Sequence, residues 1–250
     1  MKLDLAGKTA LVTGGARGIG AAISLALASA GARVIINCNK SVDAAEKLRD
    51  RLRSDGYGME IVRADVSDPG QVEDLSRDVR KNYPDLDILV NNAGIVRDML
   101  LLTMDLADWE KVHDVNLRGA FLMTRMAAAL MVPRHHGKIV NIASVSGIRG
   151  GRGQTNYASA KGGLISFTRA CAVELAPKGI QVNAVLPGMI ETEMSSRARK
   201  RAGEVLLERI PAGRYGSPEE VANLVVFLVS DKSDYITGQA FPVDGGLSIS

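Results

Sequence analysis

Only two cysteines, Cys38 and Cys171, occur in 250 residues, so no disulfide framework is available and both read as small apolar fillers. Net charge is nearly absent as well. The 31 basic and 28 acidic residues leave +3, too small an excess over a whole chain to point to nucleic acid. No run reaches the roughly 18 apolar residues of a membrane span; the richest stretch, Gly119 to Met131, is interrupted by Thr124 and Arg125. The opening MKLDLAGK turns polar before a signal-peptide core can form, which predicts a cytoplasmic protein. The three histidines, His113, His135 and His136, lack metal-ligand spacing, so no metal is expected. Internal repeats, low-complexity tracts and linkers are missing too, and nothing marks off a second domain. What is present is ordinary for a globular chain: 46% hydrophobic and 24% charged residues. The 26 glycines follow no short period and mark tight backbone sites. Length and composition together predict one α/β domain over residues 1–250.

Apolar β-rich runs alternate with helical patterns, the signature of a parallel sheet covered on both faces. Strands are expected at Thr9–Thr13, Arg33–Asn37, Glu60–Ala64, Ile88–Asn91, Lys138–Ile142, Gln181–Leu186 and Phe241–Val243. Helices are expected from the glycine-rich turn to about Ala30, where Gly31 stops the first, then at Ala44–Arg53, Pro69–Lys81, about Leu106 to Met131, Thr155–Ala176 and Pro218–Ser230. The stretch 189–216 breaks the alternation and predicts a helical flap over the sheet.

The run Thr13-Gly-Gly-Ala-Arg-Gly-Ile-Gly20 lies between a strand and a helix. Glycines there permit a sharp turn and close backbone approach to a pyrophosphate, and the amides opening the helix supply partial positive charge. The spacing of Gly14, Gly18 and Gly20 departs from GxGxxG, so it is the placement that carries the signal. After the second strand, where an acid would accept from the 2′-hydroxyl of NAD, the chain offers Asn37-Cys38-Asn39-Lys40-Ser41. With no carboxylate to repel a 2′-phosphate, and with Lys40 and Arg17 to pair with one, the expected coenzyme is NADP(H). Asp65 is expected at the adenine edge and Asn92, in the turn Asn91-Asn92-Ala93-Gly94, beside the ribose.

Tyr157 and Lys161 stand four apart in a helical pattern and share a face. An ammonium about 4 Å from a phenol, at an effective dielectric of about 20, stabilises the phenolate by about 4 kcal/mol, or roughly three pKa units. Such a pair suits acid/base work near neutral pH. Ser144, at the end of the fifth strand, can hydrogen-bond a carbonyl and its developing alkoxide. No histidine lies in a motif that would make this serine a nucleophile.

TGGARGIG, NNAG, Asn116 within VNL, Ser144, Tyr157-Ala-Ser-Ala-Lys161, Pro187-Gly188 and the terminal VDGG together resemble the short-chain dehydrogenase/reductase family over essentially the whole chain. The resemblance implies a single Rossmann-type, doubly wound parallel sheet of seven strands, a nicotinamide coenzyme and an Asn, Ser, Tyr, Lys tetrad. It gives Asn116 a helix distortion and a water relay, makes Ser144 the group that orients the carbonyl and Tyr157 the acid, and places Lys161 on the nicotinamide ribose. Coenzyme contacts are expected from Gly14, Ala16, Arg17, Gly18, Ile19 and Gly20; from Asn37, Asn39 and Lys40; from Asp65 and Val66; from Asn92, Ala93 and Gly94; from Tyr157 and Lys161; and from Pro187, Gly188 and Ile190.

Within the family, Arg97-Asp-Met-Leu-Leu101, Pro187 to Met194, Ile210 to Glu220 and Asp234 to Gln239 are similar to segments of 3-oxoacyl-[acyl-carrier-protein] reductases. This implies NADPH-dependent reduction of a 3-oxoacyl thioester in fatty acid biosynthesis. Two alternatives stay open: an NADP(H)-dependent carbonyl reductase or alcohol dehydrogenase acting on another ketone, and a catalytically silent nucleotide-binding regulator. An acidic carrier protein would favour a basic rim by the crevice. One candidate is Arg134, His135, His136, Lys138 and Lys178; the other is Arg197, Arg199, Lys200 and Arg201. Family members are usually homotetramers, and Phe121 to Met131 with Leu247-Ser-Ile249 are compatible with that assembly.

Overall fold

The computed structural model describes residues 3–54, 56–196, 199 and 207–250. Seven strands, β1 (Thr9–Thr13), β2 (Arg33–Cys38), β3 (Met59–Arg63), β4 (Leu86–Asn91), β5 (Gly137–Ile142), β6 (Ile180–Pro187) and β7 (Ala240–Val243), join in one sheet of order β3-β2-β1-β4-β5-β6-β7. Every pairing is parallel. Every residue of β1, β4 and β5 is buried, as strands covered on both faces require.

The cover comes from helices that include α1 (Gly18–Ser29), α2 (Val42–Ser54), α3 (Pro69–Asn82), α4 (Leu106–His113), α5 (Gly119–Met131), α6 (Ser146–Arg149), α7 (Thr155–Leu175) and α8 (Pro218–Val229). On one face Ile23 and Leu27 of α1 and Val225 and Leu228 of α8 close over Val12, Val34 and Val90. On the other, Val72 and Val79 of α3 and Met123 and Met131 of α5 cover Leu11 and Leu89. Leu164 and Ile165 of α7 cover Ala184 and Leu186. This is the doubly wound arrangement that the alternating pattern predicts.

Local chemistry sets the helix ends. Asp68 Oδ1 accepts from the amides of Gly70 (2.8 Å) and Gln71 (3.2 Å) ahead of Pro69, and Ser217 with Glu220 forms a reciprocal cap ahead of Pro218. Gly31, at φ +100°, ends the turn after α1.

Besides small shifts at element ends and the added α6, the structure departs from the sequence reading in two elements. The long helix expected from Leu106 to Met131 is split by a π-turn at Asp114–Arg118. By length and composition, 106–134 would pass as a membrane span, yet Leu122, Met123, Met126, Ala127 and Met131 are buried against the sheet, so it is a core helix. β4 begins at Leu86, two residues early, because the buried Asp87 is accommodated inside the strand: its Oδ2 accepts from the Thr9 amide at 3.0 Å and its Oδ1 from Arg134 Nη2 at 2.6 Å.

At the base of the expected flap, Ile190 forms a parallel bridge with Gly216, and the Glu191 amide donates to the Gly216 oxygen at 2.9 Å. Residues 197, 198 and 200–206 lie outside the described residues, and with them Arg197, Lys200 and Arg201 of the second basic cluster.

Candidate active site

The sheet order reverses at β1: the chain winds outward to β2 and β3, then returns to β4 on the other side. In open α/β sheets a ligand crevice lies at the carboxyl ends of the strands flanking such a point. Here the two flanking loops are fastened together. Asn92 Nδ2 donates to the carbonyls of Thr13 (2.9 Å) and Gly14 (3.0 Å), and the Thr13 hydroxyl accepts from the amides of Asn92 and Ala93, both at 3.0 Å.

Individual glycines of the loop are held there by conformation or by space. Gly14 and Gly18 have φ of +60° and +51°. A Cβ on Gly20 would overlap the Gly14 carbonyl and stand 2.5 Å from Asn92 Nδ2. Arg17, at the amino-cap of α1, makes no side-chain capping bond, and the first turn holds no acid. The positive end of α1 therefore faces the crevice without a side-chain anion of its own. This cradle fits the pyrophosphate of a dinucleotide.

Across the crevice, β5 and α7 bring the polar groups together. Ser144 follows β5, and its Oγ accepts from the Ser146 amide at 3.1 Å and is hydrogen-bonded to the Tyr157 phenol. Tyr157 sits in the first turn of α7, which Asn156 anchors: its Oδ1 accepts from the Tyr157 amide at 2.7 Å and its Nδ2 donates to the Arg97 carbonyl at 3.0 Å. One turn on, the buried Lys161 Nζ donates to the Ile142 carbonyl at 2.7 Å and lies 5.8 Å from the centre of the Tyr157 ring. Asn116 is the central residue of the π-turn. Its Nδ2 donates to the carbonyls of Ile95 and Val112, both at 2.9 Å, and its Oδ1 accepts from the Ile95 amide at 3.3 Å. A Cβ on Gly94 would lie 2.6 Å from Asn116 Oδ1 and 3.5 Å from Lys161 Nζ, so these side chains converge on that glycine.

The electrostatics differ from the simple Coulomb expectation. Burial pushes the Tyr157 phenol up to about 12; the Ser144 hydroxyl pulls it back and Asp98 pushes it further up. Burial alone lowers Lys161 to about 8. Loss of water is the largest cause at both groups, and at neutral pH the phenol keeps its proton.

The same constellation is read by comparison. Residues 14–248 match the family model described as Enoyl-(Acyl carrier protein) reductase, an adh_short_C2 model of the short-chain dehydrogenases/reductases. The chain belongs to the short-chain dehydrogenase/reductase family. It is 46% identical over 253 residues to the 3-oxoacyl-[acyl-carrier-protein] reductase FabG of Thermotoga maritima, covering 99% of this chain and 100% of that one. Among solved structures it is similar to a putative gluconate dehydrogenase from Agrobacterium tumefaciens, with TM-score 0.97, 39% identity and coverage of 100% of this chain and 99% of that one. It is also similar to a gluconate 5-dehydrogenase from Burkholderia cenocepacia in complex with NADP and tartrate, with TM-score 0.95, 36% identity and coverage of 100% and 98%. As a short-chain dehydrogenase/reductase it is an NAD(P)-dependent oxidoreductase acting on a small molecule.

The remaining expected coenzyme residues lie in the glycine loop and at or after the ends of β2, β3, β4 and β6. Ala16 and Ile19 lie in the glycine loop, Ala93 beside Gly14, and Pro187, Gly188 and Ile190 after β6, where a Cβ on Gly188 would stand 2.6 Å from Asp244 Cβ. Asp65 sits past β3 with Oδ1 accepting from the amide (2.9 Å) and hydroxyl (2.6 Å) of Ser67 and Oδ2 3.8 Å from Lys111 Nζ, and these partners lower its pKa against the opposing effect of burial. Asn37 lies next to the end of β2, its buried side-chain amide donating to the Ala64 carbonyl at 3.1 Å, and Val66, past β3, packs its side chain against Gly119. Arg17 Nη1 pairs with Glu193 of the flap at 3.3 Å.

The first basic cluster also needs correcting. Arg134 to Lys138 and Lys178 precede β5 and β6, so in a parallel sheet they sit at the edge opposite the crevice of their own chain. Arg134 is paired with Asp87, and the buried Lys138 donates to Asp234 at 2.6 Å. Of the second cluster, Arg199 is described and lies 3.8 Å from Glu191 and over the Tyr215 ring.

Residues that sequence reasoning missed include Thr13, Asn156 and Thr192, whose methyl lies 3.3 Å from where a Gly18 Cβ would stand. Thr13 opens the glycine run and Thr192 follows Pro187-Gly188, so proximity to the motifs was the available signal.

Proposed function

We propose that this short-chain dehydrogenase/reductase uses NADPH to reduce a 3-oxoacyl thioester to the 3-hydroxyacyl thioester, with Tyr157 as proton donor. The observation that carries the reading is the Ser144–Tyr157 pair on the crevice wall, with the buried Lys161 one turn on along α7. When bound, the coenzyme supplies the hydride to the keto carbon. Ser144 Oγ and Tyr157 Oη bind the ketone oxygen between them, and Tyr157 Oη delivers its proton as the oxygen gains charge. Lys161, charged below about pH 8, binds the nicotinamide ribose and stabilises the phenolate left behind. Asn116 positions Gly94 and the π-turn beside them. The glycine loop and α1 hold the pyrophosphate, and Lys40 favours the 2′-phosphate.

The acyl thioester reading is supported by likeness to carrier-protein reductases along the full chain. The second reading is a polyol dehydrogenase, favoured by the gluconate dehydrogenases among the similar structures. Exposed Phe121 on α5 and Val173 on α7 support a homotetramer packed through those helices. A substrate panel separates the readings: acetoacetyl thioesters with NADPH or NADH, and gluconate with NADP. Turnover at least about tenfold faster on the thioester with NADPH is expected; faster turnover on gluconate would replace the first reading by the second.

A further inference from the structure

We propose that Arg63 is a further determinant of coenzyme choice, supplying a cation to the pocket for the adenosine 2′-phosphate. The inference rests on the NADP(H) reading above and names a residue which that reading does not use. Arg63 is the last residue of β3 and stands in register with Cys38, the last of β2. Its Nε donates to the Asn39 carbonyl at 3.2 Å, which carries the guanidinium across the carboxyl end of β2, beside Asn39 and Lys40. That is where an open α/β sheet of this order discriminates between a ribose hydroxyl and a ribose phosphate. The side chain is exposed, and among the described residues no carboxylate forms an ion pair with it. With Nε pinned, the two terminal nitrogens present the planar fork that matches two phosphate oxygens.

The surrounding charges favour Arg63 over Arg17 for this task. Arg17 is held by Glu193 at 3.3 Å, so a phosphate has to compete with a carboxylate for it. Asp65 is hydrogen-bonded to the Asn39 side chain, and its charge is shared with Ser67 and with Lys111, 3.8 Å away. Lys40 is exposed and adds a second positive charge on a flexible stem. An anion at Asn39 thus meets two cations, Arg63 and Lys40, against the one carboxylate of Asp65, which Lys111 partly balances.

Isothermal titration of the full chain with 2′,5′-ADP and with 5′-AMP tests this without turnover. Wild type is expected to prefer 2′,5′-ADP, and Arg63→Gln to weaken 2′,5′-ADP by about tenfold or more while 5′-AMP stays within about twofold, with Arg63→Lys intermediate. If Arg63→Gln keeps the wild-type preference, or weakens both nucleotides equally, Arg63 is not a 2′-phosphate ligand and the NADP(H) reading stands on its other residues. If wild type itself shows no preference, both fall.

Discussion

Tyr157 and Lys161 show how far single residues can be read from letters. Their spacing of four put them on one face of a helix, and the structure keeps them there. What the spacing could not convey is that the end of β5 presents the Ile142 carbonyl to the ammonium and that burial governs both pKa values. A Coulomb estimate in a uniform dielectric has no burial in it. The consequence is measurable. Lys161 titrates near 8 in the folded chain and near the ordinary 10.5 once unfolded, so between those values the unfolded chain binds more protons and stability rises with pH. Below about pH 8 both states are protonated and the penalty of burying the charge is at full size. Burial raises the thiols of Cys38 and Cys171, which add an opposite slope as pH approaches 9, so the Lys161 contribution is read as a difference: from pH 7.5 to 9.5 stability from urea midpoints should rise in wild type relative to Lys161→Met by about 1–2 kcal/mol. Parallel curves for the two proteins would show that Lys161 is not the group responsible.

At the level of elements, the punctuation was the most legible part. Gly31 ends the turn after α1 because it tolerates a positive φ, and Pro69 and Pro218 open α3 and α8 because proline fixes φ, each without help from distant residues. The start of β4 and the π-turn were not legible, since the first depends on Arg134 meeting Asp87 across the sheet and the second on Asn116 tying Val112 to Ile95. Asn116 itself, and the distortion expected around it, came from the family resemblance. The glycine loop makes the sharpest element-scale prediction. Gly20→Ala pushes a methyl into the Gly14 carbonyl and Asn92, backbone and a bonded amide that have nowhere to go. It should cost about 1–3 kcal/mol of stability and abolish 5′-AMP binding. A thermal melt and a titration check both, and a variant with wild-type affinity would mean that the loop does not cradle the nucleotide.

For the whole molecule, strand direction decides what lies near the crevice. All seven strands are parallel, so side chains that precede a strand belong to the far edge, and the basic residues before β5 and β6 are separated from their own active site by the length of the sheet. Direction was already implied by the alternating pattern, which makes this a misplacement that the sequence itself could have corrected. Docking of an acidic carrier at Lys178 therefore requires a crevice other than the one in the same chain. With Arg134 committed to Asp87, Lys178 is the cleaner site to reverse. Lys178→Glu should raise KM for a carrier-bound thioester about tenfold and leave a small acetoacetyl thioester unchanged. Equal effects on both substrates would remove the patch from carrier recognition.

The most direct trial of the account is a single-turnover measurement of NADPH oxidation by acetoacetyl thioester, with wild type beside Tyr157→Phe. Loss of the phenolic proton donor should slow the chemical step by at least about a hundredfold while NADPH affinity holds within a few fold. A variant that oxidises NADPH at the wild-type rate would show that the proton comes from elsewhere.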